Sequence, residues 1–118
     1  MTVTTSKAAF KFPPNVFSLA QIEFNKIAEN LKIFNLNKLT FVQLTAFAKK
    51  VYDLIKENEK QIAEFKDKNK TNKKINYDKK TTWPEEYSSL INKKNILSQV
   101  RIAVLYLGIV TGQRVFYL

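Results

Sequence analysis

Residues 40–68 contain neither glycine nor proline, and the apolar side chains of one stripe recur at alternating spacings of three and four residues. That spacing places them on one face of an α-helix, in the pattern of a heptad seam. The seam has a single polar member, Asn58, and consists of Phe41, Leu44, Ala48, Val51, Ile55, Asn58, Ile62 and Phe65. A helix over these residues would extend about 43 Å at roughly 1.5 Å per residue. The sequence therefore predicts one long helix. Either its end projects from the domain, or another element covers the seam near Ile62 and Phe65.

The same helix-start pattern occurs twice, 22 residues apart, as FSLAQI at residues 17–22 and LTFVQL at residues 39–44. In each pattern the hydroxyl, Ser18 or Thr40, can accept a hydrogen bond from a helix N–H while the glutamine reaches back to the cap residue. The flanking apolar residues can then pack together as a hydrophobic staple. We therefore predict a first helix from residue 18 to about residue 34, a short turn at 35–38, and an antiparallel hairpin with the second helix.

A third helix start is predicted at Thr82, with Pro84 in the first turn and the acidic Glu85 behind it. From residue 96 onward the chain is apolar almost all round, which is typical of a core helix or of a segment covered by a partner. Its β-branched and aromatic residues leave a strand pair, turning near Gly112, as an alternative. A helix here is expected to end at Gly108 or Gly112.

These elements predict an all-α fold, a small three- to four-helix domain with an N-terminal helical hairpin and an apolar C-terminal helix. At 118 residues the chain is expected to form a single domain over residues 1–118. Within it, residues 1–16 are interpreted as an N-terminal arm and residues 66–81 as a lysine-rich linker or fraying helix end.

The composition argues against catalysis, because the chain contains no cysteine and no histidine. These absences exclude disulfides, thiol chemistry and every nucleophile paired with histidine. The carboxylate pairs, Asp53 with Glu57 and Glu85 with Glu86, fall on a predicted polar face and in a first helical turn. We therefore expect no enzyme activity, no cofactor and no metal site.

The predicted partner interface is the second half of the long seam together with the apolar C-terminal segment. One polar residue in an apolar seam can set helix register and oligomeric state; the alternative is that the seam has ended and Asn58 faces water. The expected partner is another protein or a second copy of the chain, with a homo-oligomer favoured, or the neighbours of a small subunit in an assembly. The predicted interface residues are Val51, Ile55, Asn58, Ile62 and Phe65.

The strongest charge feature is the lysine-rich stretch at residues 66–80, where seven lysines and two aspartates give a net charge of +5 out of +10 for the whole chain. Lysine side chains can neutralise backbone phosphates without a defined geometry. Tyr77 and Trp83 could also stack on bases. Sequence-nonspecific nucleic-acid binding is therefore the alternative to a protein-binding function. If the stretch binds no phosphate, it is instead a solvated loop. The candidate phosphate-contacting residues are Lys66, Lys68, Lys70, Lys73, Lys74, Lys79 and Lys80.

Two further features bear on this reading. Eighteen lysines stand beside only two arginines, Arg101 and Arg114, which argues against base-specific recognition. The longest apolar run, residues 102–110, falls well short of the roughly 20 residues that a bilayer span needs, and residues 1–12 lack a signal-peptide core. A membrane role is therefore not expected, and the predicted location is cytoplasmic.

Overall fold

The computed structural model describes residues 11–118 and contains three α-helices. They are α1 (Ser18–Asn30), α2 (Phe41–Lys68) and α3 (Glu85–Val110), with short 3-10 turns at Leu36–Lys38 and Lys80–Thr82. No strand occurs in this part of the chain, so the all-α prediction is confirmed. The strand pair considered for residues 96–118 is wrong, because α3 runs without interruption to Val110.

The main structural unit is a long antiparallel pair formed by α2 and α3. Near one end, the ring of Phe65 lies 5.3 Å from that of Tyr87. Further along the pair, Asn58 Nδ2 donates to the carbonyl oxygen of Leu90 at 3.1 Å. Near the other end, Leu44 lies beside Gly108. The described part of the chain is correspondingly elongated, measuring 54 × 28 × 21 Å.

The predicted hairpin of the first two helices is not confirmed. The short helix α1 packs mainly against α3 and only slightly against α2. The physical reason is that α3 carries apolar side chains on more than one face, so it can pack against α2 and α1 together. The core lies where the three helices meet and includes Ala20, Phe24 and Ile27 of α1, Leu44, Phe47, Ala48 and Val51 of α2, and Val100, Ala103, Val104 and Leu107 of α3.

Part of the predicted N-terminal arm contributes to this core. The ring of Phe12 meets that of Phe24 edge-on at 5.0 Å, and Val16 is buried. Residues 1–10 of the predicted arm lie outside the described residues.

The capping box predicted at Thr40 is confirmed. Thr40 Oγ1 accepts a hydrogen bond from the backbone N–H of Gln43 at 3.1 Å, and Gln43 Oε1 accepts one from the backbone N–H of Thr40 at 3.0 Å. These reciprocal bonds satisfy N–H groups that the helix itself cannot pair. The long helix consequently begins at Phe41, one residue after its cap.

The other two predicted caps are wrong. Ser18 is the first residue of α1, and Phe17 before it makes no side-chain cap. The amide of Gln21 donates instead to the carbonyl oxygen of Val16, and the Phe17 N–H donates to Gln99 Oε1 on α3. At the third start, Pro84 precedes α3 and Thr82 turns its hydroxyl into the preceding loop. Neither α1 nor α3 therefore begins with a side-chain cap, and only at α1 does a long-range bond, from the Phe17 N–H to Gln99, form beside the helix start.

The two similar helix starts predict unequal responses to alanine. Thr40→Ala is expected to lower the free energy of unfolding by about 1 kcal/mol, because it removes the acceptor for the Gln43 N–H. Ser18→Ala is the matched control, with an expected change within about 0.5 kcal/mol. Urea denaturation of both variants measures the difference, and equal losses would contradict the assignment of the caps.

Two helices end in left-handed residues. At the end of α3, Gly112 has φ +68° and the N–H of Gln113 donates to the Gly108 carbonyl at 2.8 Å, so a glycine ends the helix as predicted. At the end of α1, Lys32 has φ 58° and the Ile33 N–H donates to the Ala28 carbonyl at 2.9 Å. Both arrangements are Schellman motifs. The left-handed residue also explains why α1 stops at Asn30 rather than near Phe34.

Glycine at position 32 is expected to stabilise the fold. Lys32→Gly removes the side-chain clash of a left-handed residue, and we expect it to raise the free energy of unfolding by about 0.5–1 kcal/mol. Lys38→Gly is the control, since Lys38 lies outside the left-handed region and gains only chain entropy in the unfolded state. Thermal denaturation should raise the melting temperature for the first variant and lower it for the second; the reverse order would contradict the strain at Lys32.

Candidate functional site

The lysine loop, which we define as residues 69–84 between α2 and α3, is folded by its own hydrogen bonds. Asn76 is at its centre: its backbone N–H donates to Thr82 Oγ1 at 2.8 Å, and its carbonyl oxygen accepts from Trp83 Nε1 at 3.1 Å. Its side-chain oxygen also accepts from the Asp78 N–H at 2.9 Å. The stretch interpreted as a linker or fraying helix end is thus the regular end of α2, through Lys68, followed by a hydrogen-bonded loop.

An aromatic cluster holds this loop against the helix pair. The rings of Tyr77 and Trp83 meet that of Tyr87 edge-on at 4.9 and 4.7 Å, and Phe65 packs on Tyr87 from α2. Tyr87 is buried, and burial raises the pKa of its phenol. The cluster therefore anchors the loop to the helix pair. The sequence analysis had considered Tyr77 and Trp83 only as residues that stack on bases.

The structure brings the predicted phosphate-contacting residues together at this end of the molecule, and all of them are exposed. Two make contacts inside the loop region: Lys66 Nζ lies 5.0 Å from the centre of the Tyr77 ring, and Lys70 Nζ lies 3.7 Å from Asp67 Oδ1. An ion pair so exposed is weak. The exposed lysines are Lys66, Lys68, Lys70, Lys73, Lys74, Lys79 and Lys80.

The predicted partner interface lies inside the chain for most of its length. Val51, Asn58 and Phe65 are buried, while Ile55 and Ile62 are half-buried. The alternative that Asn58 faces water is wrong, because only 2% of this residue is exposed and its amide bonds α3. A partner at this seam would have to displace α3.

A different apolar surface is exposed, at the end of the molecule opposite the lysine loop. In the described part of the chain, every exposed large apolar side chain lies within residues 17–42 or 106–117. Phe34, Val42 and Ile109 protrude furthest, at 76%, 75% and 74% exposure. We define the apolar end as Phe34, Phe41, Val42, Ile109, Val110 and Phe116. Phe17, Leu19 and Ile22 at the start of α1 are also exposed, but this start lies beside Gln99 in the middle of α3.

The antiparallel packing of α2 and α3 assembles the apolar end from distant segments. The start of α2 lies beside the end of α3, where the rings of Phe41 and Phe116 meet edge-on at 5.8 Å. Gln113 Nε2 donates to the Leu39 carbonyl oxygen at 2.9 Å and so holds the connection between α1 and α2 in place. The sequence predicted the C-terminal segment as a possible partner contact, but not that Phe41 of α2 lies against it, because the two segments are far apart in the chain and are brought together only by the fold.

The C-terminal strap, residues 113–118, packs back along α3 toward its middle. A Cβ atom added at Gly108 would overlap Val115 Cγ2 and lie 3.1 Å from the Gln113 carbonyl oxygen, so the strap packs closely on this glycine. Arg101 Nη2 donates to the Leu118 carbonyl oxygen at 2.8 Å. Gly108 therefore serves close packing within the chain, which accounts for its place inside an otherwise continuous helix.

The apolar end is also basic. Residues 17–52 and 99–118, which build this half of the molecule, contain two acidic residues, Glu23 and Glu29, against seven basic ones: Lys26, Lys32, Lys38, Lys49, Lys50, Arg101 and Arg114. The exposed charges nearest to the apolar side chains in sequence are those of Lys32, Lys38 and Arg114. A partner with acidic residues around an apolar contact would complement this surface.

Carboxylate, hydroxyl and amine side chains among the described residues line two separate clefts. A cleft of about 330 Å³ between α2 and α3 is lined by Glu64, Lys68 and Glu86, and another of about 320 Å³ by Glu23, Ser89 and Lys93. No group of three or more potential metal ligands assembles among these residues, and none of the described helices is long and apolar enough to cross a bilayer.

Comparisons with protein-family models, with curated proteins and with solved structures found no match for this chain. No family resemblance therefore constrains its function.

Proposed function

We propose that this chain is a non-catalytic helical interaction protein that binds another protein through its apolar end. The observation that carries the proposal is that several large apolar side chains remain exposed in this part of the molecule, with Phe34, Val42 and Ile109 each about three-quarters exposed. Single exposed apolar residues are ordinary, whereas a group of them marks an interaction surface. This surface replaces the buried seam as the proposed interface.

The charge around the apolar end favours a partner other than a second copy of the chain. A two-fold contact places the same surface patch on both subunits, so each copy would meet a patch with the same excess of basic residues as its own. Like charges opposed across an interface lower its stability. A protein with acidic residues around an apolar contact avoids this cost, and the self-association predicted from the sequence stays a prediction.

Partner capture from an extract of the native host tests the proposal. The immobilised wild-type chain is compared with a Val42→Ser/Ile109→Ser double variant, which removes two protruding side chains without changing the charge. Ala63→Ser, at an exposed position in the opposite half of α2, is the control. Retained proteins should be identified with the wild type and the control and be lost with the double variant. Retention that is equal for all three would overturn the proposal.

Light scattering over a wide concentration range distinguishes the two kinds of partner. We expect a mass of 13.7 kDa throughout, because of the charge repulsion at the apolar end. A dimer that dissociates in the Val42→Ser/Ile109→Ser variant would show instead that the apolar end pairs with a second copy.

A further inference from the structure

We propose that the lysine loop, at the end of the molecule opposite the protein-binding surface, binds the phosphate backbone of duplex nucleic acid without base contacts. The proposal is independent of the apolar end. It rests on the exposed lysines of residues 66–80, whose net charge is +5, and on the ordered loop that carries most of them.

The first supporting observation is that the charges stand on a folded support. Hydrogen bonds from Asn76 to Thr82 and from Trp83 to Asn76 close the loop, and the rings of Tyr77 and Trp83 hold it against Tyr87. A ligand that binds to this loop does not have to order a free chain, so less conformational entropy is lost on binding. Several lysines are therefore presented together to one extended polyanion.

The second observation determines the kind of contact. Tyr77 and Trp83 pack against Tyr87, and the indole N–H of Trp83 already bonds the Asn76 carbonyl. These rings hold the loop together, so moving them to stack on bases would break its contacts. The charged groups are lysines, which neutralise phosphates but lack the bidentate geometry that recognises guanine. Binding should therefore be independent of sequence and should not favour single strands.

The third observation separates a nucleic acid from a membrane surface. Among the described residues, none of the exposed large apolar side chains lies between positions 43 and 105. Stable attachment to a lipid bilayer usually combines a basic patch with inserted apolar groups. A phosphate backbone needs the charges alone, and it releases counterions when they bind.

Fluorescence anisotropy with labelled DNA tests the proposal on the full chain. Two duplexes of unrelated sequence, each about 20 base pairs, are titrated at salt concentrations from about 50 to 200 mM. Three or four phosphate contacts predict a slope of log affinity against log salt of roughly −3, equal for both duplexes. Duplex should bind at least as tightly as a single strand of the same length, and Trp83 fluorescence should not be quenched.

Charge reversal then locates the site. Lys73→Glu/Lys74→Glu is expected to weaken binding to both duplexes about tenfold or more at low salt, because it removes two contacts and adds repulsion. Lys38→Glu/Lys50→Glu is the matched control: it changes the net charge equally at exposed positions outside the loop, and binding should fall much less. Circular dichroism of both variants should match the wild type, since all four lysines are exposed.

Four results would overturn the proposal. They are no duplex binding at about 50 mM salt, equal weakening by both double variants, a preference for single strands accompanied by Trp83 quenching, and binding to vesicles containing phosphatidylserine but not to duplex. Equal weakening by both double variants would indicate diffuse attraction by net charge. A preference for single strands with Trp83 quenching would indicate base stacking, and binding to vesicles alone would indicate a lipid surface.

Discussion

Replacing Asn58 with aspartate is expected to destabilise the folded chain by about 3 kcal/mol or more near neutral pH. Asn58 is 2% exposed and donates its amide N–H to the Leu90 carbonyl oxygen across the α2–α3 pair. An ionised aspartate has the same shape but cannot donate. It would place a buried charge against that carbonyl, within an otherwise apolar seam.

The loss should depend on pH in a defined direction. Burial raises the pKa of the introduced carboxyl in the folded state above its value in the unfolded chain. The folded state then binds the proton more tightly, so stability falls as pH rises between the two pKa values and stays low above the folded one. Below the unfolded pKa the carboxyl is neutral in both states, and its O–H can donate to Leu90.

Urea denaturation at about pH 4 and pH 7 measures this effect as the difference between variant and wild type at each pH. Asn58→Leu is the matched control of similar size: it exchanges the hydrogen bond for apolar burial, and its difference from the wild type should not vary with pH. Equal losses for Asn58→Asp at both pH values would show that Asn58 is accessible to water, contrary to the structure.

Phe24→Ala is expected to lower the free energy of unfolding by about 3–5 kcal/mol, the usual cost of deleting a buried phenylalanine ring. Phe24 is fully buried, and its ring lies 5.0 Å from that of Phe12 and 4.8 Å from that of Phe47. With 13 residues, α1 is too short to be stable without tertiary packing. The substitution should therefore loosen the attachment of α1 to the helix pair as well as leave a cavity.

Phe34→Ala is the matched control, because the same change is made at a side chain that is 76% exposed. Its expected effect on stability is within about 0.5 kcal/mol. The two variants are compared by urea denaturation under the same conditions. Similar midpoints for both would contradict the placement of Phe24 at the contact between the helices.

The features that the sequence predicted correctly depend on interactions between near neighbours. The bounds of α2 follow from the capping box of Thr40 with Gln43 and from a long run without glycine or proline. The end of α3 follows from the left-handed conformation of Gly112, which costs glycine little. The exposure of the lysines in residues 66–80 could also be predicted from the sequence, because charged side chains are rarely buried in a core.

The cap at Ser18 shows where local reasoning fails. Its sequence pattern matches that at Thr40, yet Gln21 bonds Val16 and Phe17 bonds Gln99, a residue 82 positions away. The rings of Tyr77 and Trp83, predicted from the sequence as candidates for base stacking, pack against Tyr87 of α3. In each case a contact that the sequence pattern does not encode takes the place of the one that it suggests.

The sequence by itself therefore determined that this chain is helical, where its long helix begins and ends, and that one stretch carries a large positive charge. Only the tertiary structure decided which helices pair and which apolar side chains remain exposed. Leu107 and Ile109 are two residues apart on α3, yet the first is fully buried and the second is 74% exposed. Helix formation depends on bonds between residues three or four apart, whereas the burial of an apolar side chain depends on which distant element covers it.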